Sequence, residues 1–220
     1  MKIVAAKKIL KANDQLAQEN REAFNAIGVF GVNLVGSPGC GKTTLLEALF
    51  AQLRGRLSPA VIEGDIAGSI DAERIERLGV PVVQINTEGA CHLDATMIAA
   101  AKGSIDLAGV NLLLIENVGN LVCTAGFDLG EHLRIVALST TEGHDKLIKY
   151  PTIFQRSDAL VITKIDLLPH TDFDVAQACG DMKCLAPEAS IFQVSARTGD
   201  GIPALADWLA QKAARGPRST

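Results

Sequence analysis

Residues 36–43 read GSPGCGKT, a stretch that combines three glycines with a lysine and a threonine. The spacing matches the pattern G-x-x-x-x-G-K-S/T, in which glycines let backbone N–H groups point at phosphate oxygens. In such a loop Lys42 reaches the β and γ phosphates of a nucleotide, and the Thr43 hydroxyl ligates Mg²⁺. An apolar run precedes the motif and a helical run follows it, which is the context that this chemistry requires. The sequence therefore predicts a phosphate site at Gly36, Ser37, Pro38, Gly39, Cys40, Gly41, Lys42, Thr43 and Thr44.

Two acidic residues at the ends of apolar runs are candidates to complete a magnesium site. Asp65 closes AVIEGD, and Glu116 closes VNLLLIE and begins an E-N-V-G element that resembles the D-x-x-G element of GTPases. Either carboxylate alone is compatible with a loop cap, and we expect at least one of them to serve the metal. Lys42, Asp65 and Glu116 are thus the candidate catalytic residues. Because no glutamine follows Gly119 to orient an attacking water, we expect slow turnover.

Two later elements predict which base the nucleotide carries. Residues 163–166 read TKID and resemble the guanine element N-K-x-D, with threonine in the asparagine position, whose effect on loop rigidity stays open. An ionised Asp166 accepts hydrogen bonds from the N1–H and 2-amino groups of guanine, whereas adenine would leave this carboxylate unpaired. Residues 195–197 read SAR and resemble the S-A-K loop whose backbone N–H meets guanine O6. GTP is therefore favoured over ATP. The predicted base-binding residues are Thr163, Lys164, Asp166, Ser195, Ala196 and Arg197.

A cysteine and a histidine stand side by side at Cys91 and His92, where the apolar run PVVQIN gives way to a helical segment. Such a pair alone is more often structural than metal-binding, but Cys123 follows another apolar run in ENVGNLVC. Thiolate and imidazole ligands suit zinc and, in square-planar geometry, nickel. Three side chains do not close a metal site, so we expect water or the second subunit of a symmetric dimer to complete it.

Seven apolar runs alternate with segments of helical character and must position these residues. The alternation predicts an α/β fold, with a mostly parallel sheet covered by helices on both faces and ligands at the carboxyl ends of the strands. We divide the chain into an N-terminal helix at residues 1–26, with apolar positions that include Leu16 and Phe24, a nucleotide-binding domain at 27–214 and a flexible tail at 215–220. The seven runs are VFGVNLV, AVIEGD, VPVVQIN, VNLLLIEN, LRIVALST, ALVITKID and SIFQVSA.

The composition limits the classes of function. The 220 residues carry a formal net charge of −4, which gives no basic surface for nucleic acid, and no apolar run has the length of a membrane span. Lysines interrupt the N-terminal segment, so we expect no export signal and a cytoplasmic protein with reduced cysteines. Cys179 and Cys184 have no histidine beside them and are expected to be ordinary thiols. We expect His132 and His144 to be structural or solvent-facing.

The order of these motifs resembles the HypB family, the GTPases that help to insert nickel into nickel–iron hydrogenases. The resemblance covers about residues 25–205, and its most specific parts are CHLDA and ENVGNLVC. It implies the P-loop NTPase fold in the form of a G domain of the dimerising metallochaperone class, with GTP or GDP and Mg²⁺ at the phosphate loop. It also implies Ni²⁺, with Zn²⁺ as an alternative at the same site, held at a dimer interface by Cys91, His92 and Cys123. The implied partners are a second copy in a nucleotide-linked homodimer, the hydrogenase large subunit and a companion nickel-maturation protein.

Two departures from the family pattern shape these expectations. The chain has no cysteine or histidine before Cys40, so we expect no separate N-terminal nickel store, and the site at Cys91, His92 and Cys123 must do any metal binding. Thr124 stands where a proline often follows the second cysteine, and we expect this change to alter only the local turn.

Two other functions are compatible with the sequence. One is a related metallochaperone GTPase that serves urease or a cobalamin enzyme. The adjacent Cys and His favour the hydrogenase client, because the urease GTPase carries Cys-Pro-His. The other is a metal-binding protein with a vestigial nucleotide site, and the intact GSPGCGKT argues against it.

Overall fold

The computed structural model describes residues 6–66 and 68–216. The start of the predicted N-terminal helix, at 1–5, and most of the predicted tail, at 217–220, lie outside the described residues. The strands are β1 (Phe30–Gly36), β2 (Pro59–Asp65), β3 (Val82–Asn86), β4 (Leu112–Glu116), β5 (Leu133–Ser139), β6 (Ala159–Thr163) and β7 (Ser190–Gln193). The α-helices are α1 (Ala6–Ala26), α2 (Lys42–Leu53), α3 (Ile70–Glu76), α4 (Ala95–Lys102), α5 (Lys146–Lys149), α6 (Pro151–Gln155), α7 (Val175–Leu185) and α8 (Ile202–Ala214). Short 3₁₀ helices span Cys123–Gly126 and Ile165–His170. Among these helices none has both the length and the apolar character needed to cross a bilayer.

The strands form one parallel sheet in the order β3-β2-β4-β1-β5-β6-β7. Each of the seven apolar runs overlaps one strand, so the predicted α/β fold with a parallel sheet is confirmed. Strands β1, β4, β5 and β6 are buried along their whole length, because helical crossovers cover both faces of the sheet. Since all strands run in one direction, the loops that follow them gather at one edge.

Alternate residues of each strand pack into two different helical layers. In β2, Val61 faces the layer formed by α2 and α8, where Leu46 and Leu205 are fully buried. Its neighbours Ala60 and Ile62 face the opposite layer, which contains α1 and α4. Helices α6 and α7 extend that second layer under β5 and β6. The period-2 alternation of a strand thus builds both halves of the core.

Helix α1 packs on the second layer through a stripe of buried residues. Asn13, Ala17, Asn20 and Phe24 are buried, and their spacing returns them to one side of the helix. Two of the four are asparagines, so α1 buries hydrogen-bonding groups as well as apolar surface.

Candidate functional site

The phosphate loop connects β1 to α2, and its glycines permit its shape. Gly39 and Gly41 adopt φ angles of 73° and 93°, which only glycine adopts without strain. Gly36 is so closely packed that an added Cβ would lie 2.6 Å from the Cys40 sulfur. Burial raises the pKa of the Cys40 thiol to about 11, so this side chain is an unreactive packing group. Helix α2 begins at Lys42 without a side-chain cap, so its first N–H groups point toward the loop as an anion site.

Thr43 and Glu116 meet directly beside this loop. The Thr43 hydroxyl donates a 2.8 Å hydrogen bond to Glu116 Oε1. Glu116 is 4% exposed, and its Oε2 has no hydrogen-bond partner among the described residues. Burial raises the pKa of Glu116 to about 7, while the nearby Lys42 ammonium acts in the opposite direction. A hydroxyl and an unengaged carboxylate oxygen are the ligands that Mg²⁺ prefers, so these two residues fit a magnesium ion.

Asp65 is the last residue of β2, and its carboxylate accepts hydrogen bonds from the loop that follows the strand. Oδ1 accepts a hydrogen bond from the Ile66 N–H at 2.6 Å, and Oδ2 accepts one from the Gly68 N–H at 3.0 Å. In the described part of the chain, no hydrogen bond joins Asp65 to Thr43 or Glu116. The structure therefore places Thr43 and Glu116 in direct contact, whereas the Asp65 carboxylate at the end of β2 holds the loop that follows it.

A second buried carboxylate, that of Glu63, lies beside Glu116. It is not among the site residues predicted from the sequence. The two residues pair across β2 and β4, and Glu63 is 3% exposed. Burial raises the pKa of Glu63 to about 8, and the Glu116 and Asp65 carboxylates add to the effect. The signal that could have revealed it is a charged residue inside the apolar run AVIEGD, two positions before the acid at the strand end.

A cavity of about 330 Å³ opens beside the phosphate loop, bounded by the loops that follow β6 and β7. The Ser195 hydroxyl lies behind it and donates a 2.6 Å hydrogen bond to Asp166 Oδ1, which fixes the carboxylate in the wall. Lys164, with φ of 58°, lays its stem over the phosphate loop, where its Nζ donates to a carbonyl oxygen at 2.7 Å. Of the predicted nucleotide-binding residues, the cavity is lined by Cys40, Gly41, Thr44, Thr163, Lys164, Asp166, Ala196 and Arg197.

Thr163 occupies the position of asparagine in N-K-x-D and ties the two nucleotide loops together. Its hydroxyl donates a 2.7 Å hydrogen bond to the carbonyl oxygen of Cys40. From the other side, the Thr140 hydroxyl donates to the Lys164 carbonyl oxygen at 2.8 Å. These two hydrogen bonds anchor the loop at residues 163–166 although threonine replaces asparagine. The substitution therefore does not leave this loop loose.

Cys91, His92 and Cys123 converge at the same edge of the sheet. One potential ligand atom from each residue lies within 4.8 Å of the other two, and the described residues contain no other such cluster of His, Cys, Asp or Glu. The Cys91 sulfur lies 3.7 Å from His92 Nδ1. All three residues are half-buried, so an ion and a further ligand can reach them from solvent. Two sulfurs and one imidazole nitrogen form a donor set for zinc or nickel.

Neighbouring groups fix the orientation and charge of these side chains. The His92 ring stacks on the Phe127 ring, with centroids 4.0 Å apart and an interplanar angle of 28°. Burial lowers the pKa of His92, with Asp94 opposing, and so favours the neutral ring that binds metals. A sulfur hydrogen bond with Cys91, together with burial, raises the pKa of the Cys123 thiol.

Thr124 closes the turn at Cys123. The Asn120 side-chain oxygen accepts hydrogen bonds from the Val122 N–H at 2.7 Å and the Cys123 N–H at 3.0 Å. The Thr124 hydroxyl donates to the Asn120 carbonyl oxygen at 2.7 Å. This local hydrogen bond shapes the turn that carries Cys123.

Asn117 links the two candidate sites. Its role is not evident from the sequence, because asparagine after a strand is ordinary in loops. It directly follows Glu116 and is 2% exposed. Its Oδ1 accepts hydrogen bonds from the Leu93 N–H at 3.1 Å and the Val118 N–H at 3.0 Å. Leu93 directly follows His92. The buried Asn117 side chain therefore joins the end of β4, where Glu116 lies, to the loop that carries Cys91 and His92.

The remaining cysteines and histidines do not join the cluster. Cys179 is half-buried in the layer that contains α7, and Cys184 is exposed. His132 Nδ1 accepts a hydrogen bond from a backbone N–H of β1 at 2.8 Å, and His144 Nδ1 accepts one from the N–H just before α7 at 3.2 Å. Both rings thus support local backbone structure.

The parallel sheet, the glycine loop between β1 and α2 and the cavity beside that loop define a P-loop nucleotide-binding protein. The CobW/HypB/UreG nucleotide-binding domain family matches residues 31–193. The chain is 49% identical over 202 residues to the hydrogenase maturation factor HypB of Azotobacter vinelandii, covering 92% of this chain and 66% of that protein. It is 47% identical over 213 residues to the HypB of Rhizobium leguminosarum bv. viciae, covering 97% and 71%. The chain belongs to the HypB family of hydrogenase maturation factors.

A solved structure extends the similarity to three dimensions. HypB from Helicobacter pylori, crystallised in complex with nickel, matches with a TM-score of 0.89 at 39% identity, covering 95% of this chain and 98% of that one. The chain spans about two thirds of the length of the two curated relatives, at 66% and 71%.

Proposed function

We propose that this protein is a GTP-hydrolysing metallochaperone that binds nickel at Cys91, His92 and Cys123 and helps to insert it into nickel–iron hydrogenase. The observation that carries the proposal is the convergence of these side chains, within 4.8 Å, at the sheet edge that also bears the phosphate loop. The nickel complex of the Helicobacter pylori relative supports nickel as the cargo. Zn²⁺ prefers the same thiolate and imidazole donors and competes for the site.

GTP binds with its phosphates in the loop at 36–44 and its guanine against Asp166. Lys42 neutralises the β and γ phosphates, and the cavity shaped by Ser195 and Asp166 supports the preference for guanine. Thr43 and Glu116 hold Mg²⁺, which when bound spreads the negative charge of the phosphates. Asp65 orders the loop after β2 and remains the second candidate carboxylate for Mg²⁺. Hydrolysis by the isolated protein is slow.

The protein works as a homodimer whose association depends on the nucleotide. Three protein ligands leave a four-coordinate ion incomplete, and a second copy can supply the rest. Large apolar side chains flank the edge of the sheet, with Val122 61% exposed beside Cys123 and Ile66 47% exposed beside Asp65. Apolar surface at this place supports burial against a partner.

GTP state and metal geometry are coupled. Glu116 would hold Mg²⁺ beside the γ phosphate, so its position would depend on the bound nucleotide. Asn117, the next residue, transmits that position to Leu93, next to His92. Hydrolysis of GTP then loosens the loop that carries Cys91 and His92, and nickel passes to the client protein.

The client is the hydrogenase large subunit, approached together with a companion nickel-maturation protein in the cytoplasm. The hydrogenase maturation role of the family supports this choice. We propose no nucleic-acid or membrane partner, because the net charge of −4 provides no basic surface.

The proposal is tested by counting nickel ions bound per chain. Metal-free protein is dialysed against Ni²⁺ with GDP or with a non-hydrolysable GTP analogue, and Cys91→Ala is compared with Cys184→Ala, which removes an exposed thiol outside the cluster. We expect binding that Cys91→Ala abolishes, that Cys184→Ala preserves and that changes with the nucleotide. Nickel binding that ignores both Cys91 and nucleotide would overturn the proposal.

A further inference from the structure

Helix α1 contacts one of the two segments that carry the metal candidates, and the residue that directly follows the other. The first ligand loop, residues 87–94, holds Cys91 and His92, and the second ligand loop, residues 117–132, holds Cys123. Asn13 and Asn20 of α1 are 7% and 1% exposed, and their side chains point at backbone groups of the second ligand loop and of Ala95, which directly follows the first.

On the side of the first ligand loop, both asparagines hold Ala95, the residue that follows it. The Ala95 N–H donates to Asn13 Oδ1 at 2.9 Å, and the Ala95 carbonyl oxygen accepts from Asn20 Nδ2 at 2.9 Å. Both polar groups of one residue are therefore fixed by α1, three positions after His92.

On the side of the second ligand loop, the same asparagines hold two successive carbonyl groups. Asn13 Nδ2 donates to the Asp128 carbonyl oxygen at 2.8 Å, and Asn20 Nδ2 donates to the Leu129 carbonyl oxygen at 3.2 Å. Arg21 adds two hydrogen bonds of 2.8 Å to the Asp128 carboxylate. These groups adjoin Phe127, whose ring stacks on His92.

The contact between α1 and the second ligand loop is too close to be a loose association. Gly130 has φ of 92°, and a Cβ added there would lie 2.6 Å from both the Ala17 carbonyl oxygen and the Asn20 Cβ. Apolar packing alone would hold helix and loop together without fixing their register. Buried amides must find their partners, so the asparagines set the relative position of the two loops.

We propose that Asn13 and Asn20 are positioning residues of the nickel site, and that α1 sets the separation between the thiol and imidazole ligands of the first ligand loop and the thiol of the second. This inference rests on the proposed function for its ligand. Neither asparagine touches the ion. Each acts through Ala95 and through the carbonyl groups of the second ligand loop.

The test compares Asn13→Ala and Asn20→Ala with Gln15→Ala, a control on the exposed side of α1 whose side-chain amide donates to Glu19 of the same helix at 3.5 Å. Ni²⁺ is titrated into each folded variant, and its absorption bands from thiolate-to-nickel charge transfer are recorded. We expect Asn13→Ala and Asn20→Ala to bind Ni²⁺ about tenfold more weakly, with shifted bands, as is typical when a group that orients a metal ligand is lost. GTP affinity should stay unchanged, and Gln15→Ala should behave as the parent protein. Folded variants with parental nickel affinity and bands would overturn the proposal.

A second measurement needs no nickel and separates this inference from the proposed function. In a background with Cys179 and Cys184 changed to serine, diamide takes two electrons and two protons from Cys91 and Cys123 and leaves them as a disulfide. We expect this bond to form more slowly in the two asparagine variants, because the loops are no longer held together. If the parent binds no nickel, the proposed function fails, and the disulfide rates alone decide the inference. If Asn20→Ala does not fold, Asn13→Asp decides both readouts, since it keeps an acceptor for Ala95 and replaces the donor to the second ligand loop by a second oxygen.

Discussion

The side-chain oxygen of Asn117 lies 3.1 Å from the backbone nitrogen of Leu93, and this hydrogen bond joins the end of β4 to the loop of Cys91 and His92. The proposed coupling predicts that Asn117→Ala makes nickel binding independent of nucleotide. In the parent, we expect nickel affinity to differ by about tenfold between GDP and a GTP analogue, within the range usual for coupled sites. In Asn117→Ala the difference should disappear while nickel still binds, as measured by competition titration with a chelator.

The control for this prediction is Asn111→Ala. The Asn111 side chain accepts a hydrogen bond from the Ser58 N–H at 2.8 Å, at the opposite edge of the sheet, so its loss should leave the nucleotide effect intact. A parental nucleotide effect in Asn117→Ala would show that coupling runs through other residues.

Glu63 predicts a dependence of stability on pH. Its folded pKa is raised to about 8 by burial and then by the Glu116 and Asp65 carboxylates, so its contribution is fully present below the unfolded pKa of 4.5 and is lost as pH rises through 8. Without nucleotide or metal, the parent should therefore lose unfolding free energy between pH 5 and 8 relative to Glu63→Gln, approaching about 1.4 kcal/mol per pH unit. Urea denaturation at several pH values measures this difference.

The pKa of Glu116 is also raised by burial, but Glu116 is present in both the parent and Glu63→Gln, so its effect is common to the two. Glu76→Gln, at an exposed position of α3, serves as the control and should follow the parent. Parallel pH profiles for the parent and Glu63→Gln would mean that Glu63 is ionised in the folded protein at neutral pH.

The rule that ligands gather at the carboxyl ends of parallel strands accounts for much of what the sequence could predict. The apolar runs located all seven strands, and Glu116, Asp166, Cys91 and Cys123 lie at or after the carboxyl ends of those strands. A strand end is a local property of the sequence, and one parallel sheet brings all such ends to one edge.

The supporting residues could not be predicted because their partners are distant in sequence. The N-terminal helix was expected from apolar positions such as Leu16 and Phe24, yet Leu16 is only half-buried, whereas Asn13 and Asn20 are buried. Their partners lie 75 to 115 positions away, as for Asn20 with Ala95 and Asn13 with Asp128. A polar residue on a helix is usually solvent-facing, and only the packed structure reveals a buried amide.

Gly119 predicts a steric effect on nucleotide binding. A Cβ at this position would lie 2.8 Å from the backbone nitrogen of Pro38, in the phosphate loop, and backbone cannot move aside as a flexible side chain would. Gly119→Ala should therefore displace one of the two loops and weaken GTP binding by roughly 1–3 kcal/mol, the usual cost of overpacking. Gly180→Ala, where an added Cβ would meet nothing within 4 Å, is the control for the same substitution. Fluorescent-GTP titration measures both, and equal affinities would show that the loops around Gly119 separate easily.

Asp166 predicts the choice of base. Its carboxylate is held by the Ser195 hydroxyl at 2.6 Å in the wall of the cavity, where it can accept hydrogen bonds from the N1–H and 2-amino groups of guanine. Asp166→Asn replaces one acceptor by a donor, so it should repel the 2-amino group of guanine and accommodate xanthine, which carries a carbonyl oxygen there. We expect GTP affinity to fall by roughly 100-fold or more and the affinity for xanthosine triphosphate to rise, in competition titrations against a labelled nucleotide. Asp207→Asn, in the exposed ion pair with Arg56, removes the same charge far from the cavity and should change neither affinity. If Asp166→Asn weakened both nucleotides equally, Asp166 would shape the loop and would not read the base.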